Sequence, residues 1–373
     1  MIPRLYDKTA QVFTNGGIGP LSEAISCTVV EELNKSFELE LKYPANGKWI
    51  NSLKNEYIIF AKPADGESPQ PFRIYSIEKT INGIIDVKAE HLAYALTKAV
   101  TAPITGKMTV QGVISAINQN THPATDILIT TTISDATQRR IEWTEPRSTW
   151  ACMLGAEDSI IHIFSDGYSG GEWKFDTWNA TLMPARGSRK SYIIDYGRDL
   201  TGLDNTEDMT DVYTAVFPYW KDKDGNTQKL SDLGQYDDVY ESDFVPLYVY
   251  PRIVPLDLSE FYDESLTDAE LAAVMQEQSR INILDNYSFH VSENTRIEFV
   301  PLWMTGEYKD LPIQHIQLGD TIEVNYRKIG YGDYAKVVRT EYDTLKEMYI
   351  SIDVGANRED FTQLIYKIAK RSK

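Results

Sequence analysis

The chain has 373 residues, 42% of them hydrophobic and 25% charged, which is enough apolar material for two or three packed domains and argues against disorder. Its formal charge of −18 argues against a nucleic-acid or anionic-membrane partner. No apolar run approaches the ~18–20 residues that span a bilayer, and two cysteines supply no disulfide framework. Charges at Arg4, Asp7 and Lys8 fall where a signal peptide needs its apolar stretch, so a cytoplasmically made protein is expected.

The N-terminal hundred residues read as β-structure. Ile25, Cys27 and Val29 alternate, and so do Phe37, Leu39, Leu41 and Tyr43 against Glu38, Glu40 and Lys42, with Asn34-Lys35-Ser36 as the connecting turn. Phe72 and Ile74 lead through Ile81 to Asn82-Gly83, a strong hairpin signal, after which Ile85, Val87, Ala89 and His91 share one face. A short helix is expected over 91–98. Such a meander closes most easily into a small barrel or sandwich.

Residues 99–190 read as a small α+β region. Val110, Val113, Ile114 and Ile117 have helical spacing behind Thr109 as N-cap, and a second short helix is expected over 148–154. Ile160 to Phe164 reads as a strand, and after a turn-rich stretch a further strand runs from Glu172 to Trp178. From 191 the β pattern returns, with Val212, Thr214 and Val216 on one face and a turn at Asp224-Gly225. Thr267 and Glu270 form a capping box ahead of Leu271, Val274 and Met275. Ile297 and Phe299, then Ile322, Val324 and Tyr326, a turn over 330–333, and Met348, Ile350, Ile352 and Val354 suggest a closing antiparallel sheet. The tail 366–373 is basic and is expected to be a helix end.

Charge is unevenly spread. Between Asp232 and Glu270 lie 11 acids against Arg252 alone, −10 of the total, interleaved with Tyr236, Tyr240, Phe244, Tyr248, Tyr250, Phe261 and Tyr262. That mixture is too apolar for a disordered tail and reads as an ordered surface segment, either the solvated face of a domain or an outer arm that docks on a neighbouring subunit or tail protein through its aromatic residues.

Catalytic patterns are not found. None of His91, His122, His162, His290 and His315 has a zinc-peptidase partner four residues away, and Cys27 and Cys152 are too far apart in sequence for a clustered zinc motif. Cys152 beside Met153 and Leu154, and Cys27 between Ile25 and Val29, read as packed thiols; His91 and His162 read as core or interface groups in strand patterns. There is no nucleophile elbow or phosphate loop. With 55 carboxylates, a chance acid pair carries no weight, so no catalytic, cofactor-binding or metal residues are assigned and no cofactor is expected.

Several stretches in order resemble one family: Thr28–Pro44 (TVVEELNKSFELELKYP), Phe72–Ile77 (FRIYSI), Val87–Leu96 (VKAEHLAYAL), Arg186-Gly187, Ile194–Gly202 (IDYGRDLTG), Leu318–Val324 (LGDTIEV) and Tyr342–Glu347 (YDTLKE). Together these resemble the N-terminal hub region of tail-tip proteins of long-tailed phages and prophages, often labelled prophage tail endopeptidase or tail-associated lysin. That family is similar in fold to baseplate hubs of contractile tails and to the tube part of type VI secretion spikes. Departures are mild, with Asn34-Lys35 in place of Asn-Gly and Arg198-Asp199 in place of Lys-Asn. The resemblance covers about residues 1–355, and none of the quoted stretches is a lytic motif, so the lytic activity in the family's label is not expected of these residues.

The resemblance implies a β-rich α+β, multidomain chain whose two barrel-like domains form a pseudo-sixfold ring in a homotrimer. The expected domains are a first tube domain at 1–98, an α+β insertion at 99–190, a discontinuous second tube domain at 191–225 and 290–355, an acidic arm with its helix at 226–289, and a basic tail at 356–373. It also implies a structural tail-tip hub in the virion, assembled in the bacterial cytoplasm, with a hexameric distal tail protein ring and other tail-tip or fibre proteins as partners. No sequence-specific nucleic acid and no membrane insertion are expected. The alternative is a tail-associated cell-wall hydrolase or glycan-binding adhesin.

Overall fold

The computed structural model describes residues 1–156, 158–164, 171–210, 212–285, 292–300, 302, 315–326 and 331–356. They divide into two compact units, one drawn from 1–205 and 294–356 and the other from 206–293.

In the first unit, Ser26–Glu32 and Phe37–Pro44 pair antiparallel around a turn at Asn34, whose φ is +56°. Phe37–Pro44 pairs next with Ile84–His91, placing Leu39 opposite Ala89 and Leu41 opposite Val87. Because side chains alternate along each strand, this register buries Cys27, Val29, Leu39, Leu41, Tyr43, Val87 and Ala89 on one face. Each large aliphatic side chain so buried contributes ~1.5–3 kcal/mol. The other face carries charges, with Lys88 3.6 Å from Glu40 and Lys42 4.0 Å from Asp86. Asn82-Gly83 makes the expected turn between Gln70–Lys79 and Ile84–His91: Gly83 takes φ +80° and the Ile84 N–H donates to Asn82 Oδ1 at 2.9 Å. Ile58–Ala61, Arg4–Tyr6 and Gly19–Pro20 complete this flank.

The C-terminal strands extend the same sheet. Tyr331–Asp343 pairs with Ser26–Glu32, Tyr342 opposite Val29, and on its other side with Met348–Ala356, which pairs with Ser292–Phe299. Leu200–Asp208 lies beyond, and Thr321–Tyr326 joins Tyr331–Asp343 to Arg189–Asp195. Thirteen described strands therefore form one continuous sheet, and among the described residues no sheet closes into the barrels expected from the sequence. A shared ladder across Val29 and Tyr342 joins the N- and C-terminal halves instead.

The elements between them pack on the first half. Thr109 Oγ1 accepts the Gly112 N–H at 3.2 Å, capping the helix Val110–Asn120, and Val110, Val113, Ile114 and Ile117 are buried. Trp173, Cys152, Met153 and Ile117 belong to the same core as Leu39 and Leu41. A three-stranded sheet of Leu128–Thr131, Asn179–Met183 and Glu172–Asp176 lies here, beside the short helix Thr149–Met153.

Two local expectations are corrected. Ile160–Ile163 is a helical turn, not a strand: the His162 and Ile163 N–H groups both donate to the Ser159 carbonyl, and a four-residue apolar run cannot display its period. Along Met348–Ala356, Tyr349 is buried and Ile350 is 40% exposed, because a register shift pairs Glu341 with Ser351 but Tyr342 with Tyr349. Ile350 is the extra residue of a β-bulge, so the alternation inverts there.

The second unit centres on Ala215–Lys221, flanked antiparallel by Thr227–Lys229 and Tyr240–Glu241 and parallel by Ile253–Asp257. Asp222 Oδ1 accepts the N–H groups of Asp224 and Asn226, both at 2.9 Å, in the turn at Gly225. The helix Asp268–Asp285 starts at the expected capping box, with the Thr267 N–H donating to Glu270 Oε2 at 2.9 Å. It buries Leu271, Ala272, Met275 and Ile283 against Val216, Trp220, Leu256 and Leu258. Gly330 and the tail 366–373 lie outside the described residues.

Candidate functional site

Three of the stretches that carry the family resemblance, Arg186-Gly187, Ile194–Gly202 and Leu318–Val324, form joints of the fold. Gly187 (φ +75°) and Gly319 (φ +90°) meet back to back: a Cβ on Gly319 would lie 2.7 Å from the Arg186 carbonyl carbon, and one on Gly187 would overlap the Gly319–Asp320 peptide. Only glycine tolerates that approach with that backbone. Buried Asp320 ties the two turns together, accepting the Ser188 N–H at 2.7 Å and the Gln317 N–H at 2.8 Å, with Lys190 Nζ at 3.3 Å. Arg186 itself is buried. Its guanidinium donates to Glu31 at 2.7 Å and to the Trp173 carbonyl at 3.2 Å, while its main-chain N–H donates to Glu172, which also pairs with Lys336. One arginine thus links the N-terminal strand, the inserted hairpin and the C-terminal strands. Asp199, also buried, accepts the Asp195 N–H at 2.8 Å and holds the Ile194–Gly202 turn.

The candidate chemical groups are inward and saturated or dispersed. His91 is buried, stacked on Phe37 at 4.8 Å; its Nδ1 accepts the Ala93 N–H and its Nε2 faces Gln70 Oε1 at 3.3 Å. Burial drives its pKa down to about 3, so it is a neutral core imidazole. The Cys27 thiol is pushed up to about 12 and the Cys152 thiol to about 11, both chiefly by burial, away from the thiolate range of a nucleophile. His122 and His162 are exposed, His315 Nδ1 sits 2.8 Å from Asp65, and His290 lies outside the described residues. Among the described residues no cluster of three or more His, Cys, Asp or Glu has a metal-holding arrangement.

The second unit carries the acidic stretch. The acidic stretch is ordered: it contributes strand Ile253–Asp257 to the sheet, and Tyr236, Tyr240 and Phe244 pack against the unit's own core. Lys229 Nζ donates to Asp238 at 2.6 Å and holds that carboxyl below the usual range, and Asp238 also accepts the Ser231 N–H. Arg252, the one base of the stretch, donates to the carbonyls of Val212, Met209 and Thr210. An open cleft of about 750 Å³ runs along Leu230, Tyr236, Asp237, Tyr240, Glu241 and Gln276. Sequence reasoning picked Tyr236, Tyr240, Tyr248 and Tyr250 as anchors, yet of these Tyr250 alone is strongly exposed. It missed Leu247 and Val249, 73% and 88% exposed beside it. The signal was present in the sequence: Val245-Pro-Leu-Tyr-Val-Tyr-Pro251 is an apolar run interrupted by prolines inside an acidic stretch.

No protein-family model matches the chain, and no curated protein matches it. Solved structures do. Prophage tail protein gp18 from Listeria monocytogenes EGD-e aligns over 99% of both chains with a TM-score of 0.60 at 15% identity. The tail protein from Neisseria meningitidis MC58 aligns over 95% of this chain and 96% of its own, with a TM-score of 0.59 at 10% identity. The 43 kDa tail protein of prophage MuSo2 from Shewanella oneidensis covers 96% and 98%, with a TM-score of 0.56 at 9% identity. With buried joints at its motif residues and this agreement along nearly its whole length, the chain has the fold of prophage tail proteins.

Proposed function

We propose that the chain is a structural hub of a phage or prophage tail tip, a homotrimeric ring that joins the tail tube to the host-contacting parts. The observation that carries this reading is the likeness to three tail proteins over at least 95% of both chains in each case. The division of the large sheet into N- and C-terminal halves, joined across Val29 and Tyr342, supports two β modules per subunit. Three subunits would then offer six modules, a match for a hexameric ring of distal tail protein above, with fibre or other tip proteins below. On this reading the modules are residues 1–98 and the discontinuous set 191–225 and 290–355. A charge of −18 suits a channel component that must not hold passing DNA. In this role the chain works in the virion tail after assembly in the host cytoplasm, and its buried thiols and His91 serve packing, not catalysis.

Tail particles purified from the bacterium that carries the gene test this directly. The chain is expected among their proteins by mass spectrometry, and interrupting its gene is expected to leave tails without tips. Complete tails that lack the chain would contradict the proposal.

A further inference from the structure

Leu247, Val249, Tyr250 and Ile253 are 73%, 88%, 77% and 45% exposed and lie within seven residues of one another in the chain. A run of large apolar side chains held out to solvent marks a contact surface. Its electrostatic setting narrows the occupant. Ala215 pairs with Glu241 on one side and Ile253 on the other, so Glu241 stands two strand spacings, about 10 Å, from Ile253. Exposed Asp243 and Asp257 lie close along the chain, and Arg252 is engaged with main-chain carbonyls. Whatever covers this patch must bring apolar side chains and positive charge together.

One stretch of the chain has that composition. From residue 361 onward there is no acid, and Lys367, Lys370, Arg371 and Lys373 accompany Phe361, Leu364, Ile365 and Ile368, which recur in the sequence at i, i+3, i+4, i+7, the spacing of an amphipathic segment. We propose that the apolar, acid-rimmed patch at Leu247–Ile253 is the docking site for residues 361–373 of a second copy of the chain. Such docking stands on exposure and charge alone, whether or not the chain is part of a tail.

Two full-length variants, V249C and I368C, test it when mixed and mildly oxidised. Val249 is nearly fully exposed, so its replacement does not threaten folding, and the two native thiols are buried. The expected result is a disulfide-linked pair at twice the chain mass, with the 249–368 linkage identified by peptide mapping. Its yield should fall several-fold in 1 M salt, where the Debye length shrinks to ~3 Å. The same loss is expected when Lys367, Lys370 and Arg371 are changed to Glu. Three results would overturn the assignment: no linkage in the mixture, linkage indifferent to salt and charge reversal, or closure within single chains of a V249C/I368C double variant with none in the mixture. A trimeric mass without the linkage refutes the docking alone, and the linkage without a trimeric mass refutes the hub alone.

Discussion

The guanidinium of Arg186 meets the carboxylate of Glu31 at 2.7 Å, 155 residues apart in the chain and with both side chains 7% exposed. Removing one partner of a buried pair leaves the other charged and unsolvated, which costs about 3–5 kcal/mol. Arg186→Met is therefore expected to lower the urea midpoint strongly. The double variant E31L/R186M should lose less than the sum of its single changes, since it leaves no orphaned charge. Additive losses would show that the two side chains do not act as a pair.

Gly187 and Gly83 separate backbone strain from steric overlap. Both have positive φ, +75° and +80°, but a Cβ at Gly83 meets nothing within 4 Å while one at Gly187 strikes the Gly319–Asp320 peptide. G83A should cost only the left-handed penalty of about 1–2 kcal/mol. G187A should cost clearly more and cannot be relieved by a side-chain shift. Thermal midpoints of the two variants compare them, and equal losses would contradict the interlocked turns.

His91 gives the fold an acid-side weakness. Its pKa falls from 6.5 to about 3 through burial, so between those values the unfolded chain binds a proton that the folded chain refuses. The imidazole's contribution is fully present above pH 6.5 and is lost as pH falls, at about 1.4 kcal/mol per unit, until about pH 3. H91Q should be less stable at pH 8, having lost the stack on Phe37. It should also flatten the stability–pH slope between pH 3 and 6.5 by one proton. An unchanged slope would show that His91 is protonated in the folded state.

The order of these features explains what the sequence revealed. Alternation at Leu39 and Leu41, the turn at Asn82-Gly83 and the caps at Thr109 and Thr267 are set by neighbours within a few residues, and all are found as read. Ile350 could not be placed, because its direction depends on a bulge in pairing with Tyr342. Arg186 and Gly187 drew notice only by resemblance, since their partners, Glu31 and Gly319, lie more than a hundred residues away. The exposed run at Leu247–Tyr250 was hidden because aromatic residues among acids read alike whether they pack inward, as Tyr240 does, or outward, as Tyr250 does.

Cys27 and Cys152 should resist a thiol reagent at pH 8 in the folded chain and both react once urea unfolds it, given pKa values of about 12 and about 11. C152A should shift the thermal midpoint and leave no cell-wall lysis to lose in a dye-release assay. Wall hydrolysis abolished by that change would place a nucleophile at Cys152 and overturn the structural reading.

Light scattering on the purified chain, over a range of concentrations, addresses the hub assignment most directly. The account predicts a species of three times the 42.4 kDa chain mass that gains population as concentration rises. A species that stays at 42.4 kDa at every concentration would contradict it.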